Sequence, residues 1–205
     1  MQFGGGVLIT FEGVSGARGG RLLFTDICFA VAGGGALVIS GANGVGKSSL
    51  IRIAAGLLRP LSGTVAGAAK RALMAEAAAL DSEATLADAL GFWARIDRVP
   101  EVEAGVASAL VMLDLAHAAR IPVRLLSTGQ RRRAALAPLM VANAPVWLLD
   151  EPASGLDSAA ITRLELILAN HRARGGAVIV ATHQPLTLPG AAILSLSDAG
   201  ARGPQ

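Results

Sequence analysis

The sequence predicts an α/β fold with a mostly parallel β-sheet that is covered by helices on both faces. Short continuous apolar runs, typical of buried parallel strands, alternate with longer segments whose apolar residues recur at helical spacing. Strand patterns cover residues 36–40, 71–75, 146–149, 177–181 and 193–196, and helical patterns cover residues 49–57, 85–96, 101–113, 130–143 and 158–174. This alternation favours parallel strands that are joined by crossover helices.

Two parts of the chain depart from this alternation. Residues 7–12 and 27–31 read as strands joined by a glycine-rich turn around Gly16, Gly19 and Gly20, which predicts an antiparallel N-terminal part. Residues 81–122 carry no strand pattern. We therefore expect a helical insertion over about residues 78–142, within a single domain that spans residues 1–205.

Composition argues against several classes of protein. The longest apolar stretch, residues 134–149, is interrupted by Pro138, Asn143 and Pro145, so no transmembrane helix is expected. Residues 1–6 lack the charged and apolar regions of a signal peptide, so none is expected. The net charge is only +3 and the basic residues are spread along the chain, so nucleic acid is not expected as a partner. Cys28, the single cysteine, excludes an internal disulfide and is predicted to be a buried structural thiol.

Residues 41–48 fit the pattern G-x-x-x-x-G-K-[ST], the P-loop that holds nucleotide phosphates. They follow a predicted strand and precede a predicted helix, which is the context that the motif requires. Backbone N–H groups of such a loop cradle phosphates, the lysine reaches the β- and γ-phosphates, and the hydroxyl takes one Mg²⁺ position. The predicted nucleotide-binding residues are Gly41, Ala42, Asn43, Gly44, Val45, Gly46, Lys47, Ser48 and Ser49.

Two carboxylates follow the apolar strand at residues 146–149. Asp150 ends the strand, as the Walker B pattern requires, and is predicted to hold Mg²⁺ together with Ser48. Glu151 comes next and is predicted to polarise the attacking water as a general base.

Three further segments carry a family resemblance. Residues 126–130 (Leu-Ser-Thr-Gly-Gln) look like the LSGGQ signature of ABC ATPases, residues 154–157 resemble the D-loop of that family, and residues 182–184 resemble its switch-histidine region. With the P-loop and the Walker B strand, these motifs follow the family order over about residues 7–196. The sequence is thus identified as a member of the ABC ATPase family.

The resemblance implies a P-loop NTPase fold with ATP and Mg²⁺ bound between two subunits. The signature of one subunit would face the P-loop of the other, so that each chain holds half of each site. The implied residues are the signature set Ser127, Thr128, Gly129 and Gln130, the D-loop residues Ser154 and Asp157, and the catalytic residues Glu151 and His183.

The chain departs from the family pattern at two positions. One would contact the adenine base of the nucleotide, and the other would link the site to the membrane partner. Where the family usually stacks an aromatic residue on adenine, this chain has Ala17 and Arg18, so Arg18 is a candidate for that contact. The family also has a glutamine after the short strand that links the site to the membrane partner. Ala77 occupies that position here, and Glu76 is a candidate to substitute for the glutamine through water.

Residues 21–24, 126–133, 147–152 and 181–186 are similar to the ATPase subunits of cytochrome c maturation haem exporters. This similarity implies a peripheral subunit on the cytoplasmic face of a bacterial inner membrane. Its partners would be polytopic membrane subunits and a second ATPase subunit, with haem handled by the partners and not by this chain. Three alternatives stay open: another ABC exporter, a soluble ABC protein acting on ribosomes or DNA, and a nucleotide-gated scaffold without turnover.

Overall fold

The computed structural model describes residues 6–68, 70–75, 80–197 and 200–202. Its strands are β1 (Val7–Arg18), β2 (Arg21–Ala32), β3 (Ala36–Ser40), β4 (Ser62–Gly67), β5 (Arg71–Met74), β6 (Val146–Asp150), β7 (Ala177–Ala181), β8 (Ala192–Ser197) and β9 (Gly200–Arg202). Its α-helices are α1 (Lys47–Ala54), α2 (Leu86–Ile96), α3 (Val102–Met112), α4 (Thr128–Ala134), α5 (Ala137–Val141) and α6 (Ser158–Ala173).

The core is a six-stranded sheet in the order β5-β6-β7-β3-β8-β9. All neighbours are parallel except β8 and β9, which are antiparallel. Every residue of β6 and β7 is buried, as continuous apolar strands in a doubly covered sheet require. Because parallel strands end at one edge, the sheet brings the carboxyl ends of β3, β6 and β7 together.

The sheet separates two hydrophobic cores. Val146 and Leu148 pack on one face, with the α1 helix and the N-terminal strands. Trp147 and Leu149 pack on the other face, against residues of α2, α3, α5 and α6. The elements α2 to α5 lie between β5 and β6 in the chain, where the sequence predicts the helical insertion.

The N-terminal sheet has the antiparallel order β2-β1-β4, which confirms the predicted antiparallel part. Its strands are longer than predicted, and only Gly19 and Gly20 form the turn between β1 and β2, with φ of 57° and 79°. Gly16 lies within β1, where the ring of Phe24 fills the space that a side chain would need. Apolar patterning missed β4 because most of its residues are exposed.

Two local predictions are wrong. The helix predicted over residues 130–143 is divided into α4 and α5, because Pro138 lies in the first turn of α5 and cannot donate to a continuing helix. Cys28 is exposed, because β2 alternates and directs Ile27 and Phe29 inward instead. Within the described ranges, no helix combines the length and the apolar character needed to cross a bilayer.

Asp114, directly after α3, connects three helices. Its carboxylate lies 3.0 Å from the Arg133 guanidinium on α4 and 3.4 Å from that of Arg163 on α6. Hydrogen bonds from Arg133 and Arg163 lower the pKa of Asp114 below its ordinary value. The carboxylate is ionised at neutral pH and links the inserted helices α3 and α4 to α6, which follows β6.

His171 on α6 is expected to make stability depend on pH. Its ring is buried and stacks on Trp147 with centroids 3.9 Å apart, and burial lowers its pKa from 6.5 to about 4. The unfolded chain then binds a proton at this histidine more tightly than the folded chain does. The contribution of the neutral His171 ring to the free energy of unfolding is therefore fully present above pH 6.5 and is lost as the pH falls towards 4. The loss should approach about 3 kcal/mol.

His171→Phe keeps a ring against Trp147 and removes the titration, so we expect a flatter acid limb when the free energy of unfolding is measured by denaturant at several pH values. His117→Gln replaces an exposed histidine and should leave the limb unchanged. An unaltered limb in His171→Phe would contradict this assignment.

Candidate nucleotide-binding site

A cleft of about 420 Å³ opens at the edge of the core sheet where β3, β6 and β7 end. It brings together the P-loop, the end of β6 and the histidine after β7. Its lining residues are Arg18, Leu23, Asn43, Gly44, Gly46, Lys47, Ser48, Ser49, Arg132, Asp150, Glu151, Ser154 and His183.

The P-loop depends on glycine at positions 41, 44 and 46. Gly41, Gly44 and Gly46 have φ of 143°, 81° and 114°, a range that other residues rarely adopt. A Cβ on Gly41 would also collide with the backbone oxygen of Leu196. The α1 helix begins directly after this loop without a side-chain cap, which suits a helix start whose N–H groups face a phosphate.

Lys47 is held over the loop before any ligand arrives. Its side chain is only 6% exposed, and its Nζ donates to the backbone oxygens of Gly41 (2.9 Å) and Ala42 (3.1 Å). The same Nζ lies 3.7 Å from Glu151 Oε1. A buried ammonium group is thus positioned between the phosphate cradle and the predicted general base.

The residues predicted to hold Mg²⁺ lie in direct contact. Ser48 Oγ donates to Asp150 Oδ1 at 2.9 Å, across the gap between α1 and β6. A hydroxyl and a carboxylate at this separation are the hard oxygen donors that Mg²⁺ prefers. The donor set fits the ion, which these two side chains would hold and which would offset the charge of the nucleotide phosphates.

Glu151 and His183 form a pair at the ends of neighbouring strands. His183 Nδ1 lies 2.9 Å from Glu151 Oε2, and the His183 backbone N–H donates to the same oxygen at 3.3 Å. Glu151 has φ of 52°, the left-handed conformation that is unusual for a residue other than glycine. Its backbone N–H donates to Ala181 O at 2.8 Å, which anchors this turn to β7.

The predicted signature residues lie away from this cleft. Ser127 caps α4 through a capping box with Gln130, in which each side chain accepts from the other residue's backbone N–H, at 3.2 and 2.9 Å. Ser127, Thr128 and Gly129 are exposed, and none of the four signature residues is part of the cleft lining. Their position outside the chain's own cleft agrees with a contact made to a second subunit.

The predicted D-loop residues divide between two roles. Ser154 lines the cleft, and its backbone N–H donates to Glu151 O at 3.2 Å. Asp157 instead caps α6 by accepting from the Ala160 N–H at 2.8 Å. The segment between them is therefore fixed at both ends.

Two of the lining residues are arginines. One is the predicted contact for the adenine base, and the other is a cation that the sequence did not indicate. Arg18, the candidate for adenine contact, does line the cleft, next to Leu23. Arg132 also lines it, although no pattern distinguishes this arginine from its neighbours on the same helix. Glu76 and Ala77, the candidates at the coupling position, lie outside the described residues.

The family described as ABC transporter matches residues 24–154. The chain belongs to this family. Family membership makes the chain an ATPase subunit, which confirms the sequence-based prediction. A solved structure of the ATP binding subunit of an ABC transporter superimposes with a TM-score of 0.85, over 97% of this chain and 89% of that chain, at 21% identity. That likeness supports the fold alone, and it agrees with the predicted P-loop NTPase architecture.

Curated relatives share much more sequence with the chain. The cytochrome c biogenesis ATP-binding export protein CcmA of Sphingopyxis alaskensis is 52% identical over 183 residues, which are 89% of this chain and 93% of that protein. The CcmA protein of Novosphingobium aromaticivorans is 51% identical over 173 residues, which are 83% of this chain and 86% of that protein. The chain therefore corresponds to most of the length of these two proteins.

Proposed function

We propose that the chain hydrolyses ATP for a bacterial inner-membrane ABC transporter that delivers haem during c-type cytochrome biogenesis. The observation that carries the activity is the juxtaposition of Lys47 with the Glu151–His183 pair in one cleft. The relatives named for cytochrome c biogenesis and export support the transport role. In this proposal, haem is handled by the membrane and periplasmic partners.

The chemistry is divided among the side chains of the cleft. Lys47 leaves the carbonyls of Gly41 and Ala42 to bind the β- and γ-phosphates. Ser48 and Asp150 would hold Mg²⁺. Glu151 accepts a proton from the attacking water, and His183 keeps the Glu151 carboxylate in place through its 2.9 Å contact.

A second copy of the chain completes each site. Ser127 and Gly129 of one subunit donate to the γ-phosphate held by the other subunit. Their exposure and their position outside their own cleft support this contact. Arg18 provides a planar cation at the adenine end of the cleft, where an aromatic residue is usual. Polytopic membrane subunits receive the resulting motion and hold the ATPase pair at the cytoplasmic face of the membrane.

Affinity capture of the tagged chain from detergent-solubilised membranes tests this role. We expect polytopic membrane proteins to co-purify together with a haem-carrying periplasmic protein, whose haem is visible in the absorption spectrum of the eluate. If polytopic partners co-purify without any haem component, the chain would still be the ATPase subunit of an ABC exporter, but haem would be ruled out as its substrate. A chain recovered only with ribosomes or DNA would overturn the transport role.

A further inference from the structure

Arg132 differs from the two arginines beside it on α4. Arg131 donates to the backbone oxygens of Arg124 and Leu126, and Arg133 pairs with Asp114. Arg132 is partly buried in the cleft wall, and among the residues that the structure describes it has no hydrogen-bond or ion-pair partner. A guanidinium offers five donors. Among the described residues, this guanidinium is therefore available to a ligand that enters the cleft.

The location of Arg132 within the cleft indicates which part of a bound nucleotide it would contact. Arg18 and Leu23 bring the N-terminal sheet to one side of the cleft, whereas Asp150, Glu151 and His183 come from the ends of β6 and β7. Arg132 belongs to the second group because its guanidinium lies over the loop that follows β6.

Gly155 in that loop leaves the space for the guanidinium. A Cβ on Gly155 would lie 3.3 Å from Arg132 Nε, and Gly155 has φ of 71°. Glycine thus permits both the backbone turn and the close approach of the arginine. The guanidinium therefore lies against the loop after β6, in the cleft that Asp150 and Glu151 also line, where the terminal phosphate of a nucleotide is expected.

We propose that Arg132 binds the terminal phosphate of the nucleotide in the cleft of its own chain. A planar guanidinium suits this role because it donates two parallel hydrogen bonds to phosphate oxygens. The proposal rests on the proposed nucleotide site and adds to it a cation from the helix that also carries the signature. ATP in one cleft then fixes the same subunit's signature helix, whose first residues serve the partner's site.

Nucleotide binding by the full-length chain tests this assignment. Arg132→Gln should weaken binding of a non-hydrolysable ATP analogue roughly tenfold or more, because a charge-assisted phosphate contact is lost. It should change ADP binding less than about twofold, because ADP lacks the phosphate that Arg132 contacts. Arg132→Lys should restore part of the difference, and Arg120→Gln, at an exposed arginine outside the cleft, should have no effect.

Each other outcome has a distinct meaning. Equal losses for the ATP analogue and ADP, or no loss for either, would overturn the contact with the terminal phosphate. A fall in thermal stability with unchanged ratios of the two affinities would make Arg132 a purely structural neighbour of Gly155. Wild-type chain that binds neither nucleotide would instead refute the proposed site itself.

Discussion

Lys47→Ala is expected to abolish ATP binding at physiological nucleotide concentrations. The substitution removes a buried ammonium group that lies within 3.1 Å of two P-loop carbonyls and 3.7 Å from Glu151. The phosphates would then bind to the loop without the cation that offsets their negative charge. The Glu151 carboxylate, no longer neutralised by Lys47, would repel them. We expect the dissociation constant for ATP to rise about 100-fold, as measured by calorimetry or by a fluorescent nucleotide.

Lys70→Ala is the matched control, because Lys70 is the only other lysine in the chain. Its ammonium group pairs with Asp97 at 3.4 Å, outside the cleft. ATP affinity should be unaffected by this change, and circular dichroism should show both variants folded. An unchanged affinity in a folded Lys47→Ala protein would refute the P-loop assignment.

Glu151→Gln should retain ATP and lose turnover. The amide keeps the size of the side chain and can still contact His183, but it cannot accept a proton from water. General-base catalysis contributes roughly 10²- to 10⁴-fold, so the hydrolysis rate should fall by that range. Because ATP then persists, the variant should accumulate as an ATP-bound dimer, which light scattering detects.

The control for this prediction is Glu103→Gln, at an exposed glutamate on α3. It should hydrolyse ATP at the wild-type rate and remain as monomeric as the wild-type chain. Wild-type turnover by Glu151→Gln would show that another group acts as the base. Slow turnover without a dimer would support Glu151 as the general base but refute the proposed contact between two subunits.

The predicted site residues that line the cleft come together because most of them follow strands whose ends are fixed by the sheet. Asp150, Glu151 and His183 each follow a continuous apolar run, so the parallel arrangement alone brings them to the P-loop. Lys47 and Ser48 are determined by the glycines before them, whose positive φ angles no other residue adopts easily. These positions depend on local backbone geometry and on strand order, which the sequence specifies directly.

The role of Arg132 and the strand β4 were not predicted, and Cys28 was predicted wrongly, because their environments depend on other parts of the chain. The side chain of Arg132 enters the cleft only because Gly155, far along the sequence, leaves room beside it. The β4 strand has mostly exposed side chains and forms through its pairing with β1. Cys28 is exposed because β2 directs its neighbours inward.

The backbone at Glu151 also has a consequence for selection. Its left-handed conformation, with φ of 52°, costs a residue with a side chain about 1 kcal/mol or more, a cost that glycine would avoid. Fold stability alone would therefore favour glycine at this position. A glutamate at this position supplies the carboxylate beside His183 at that conformational cost.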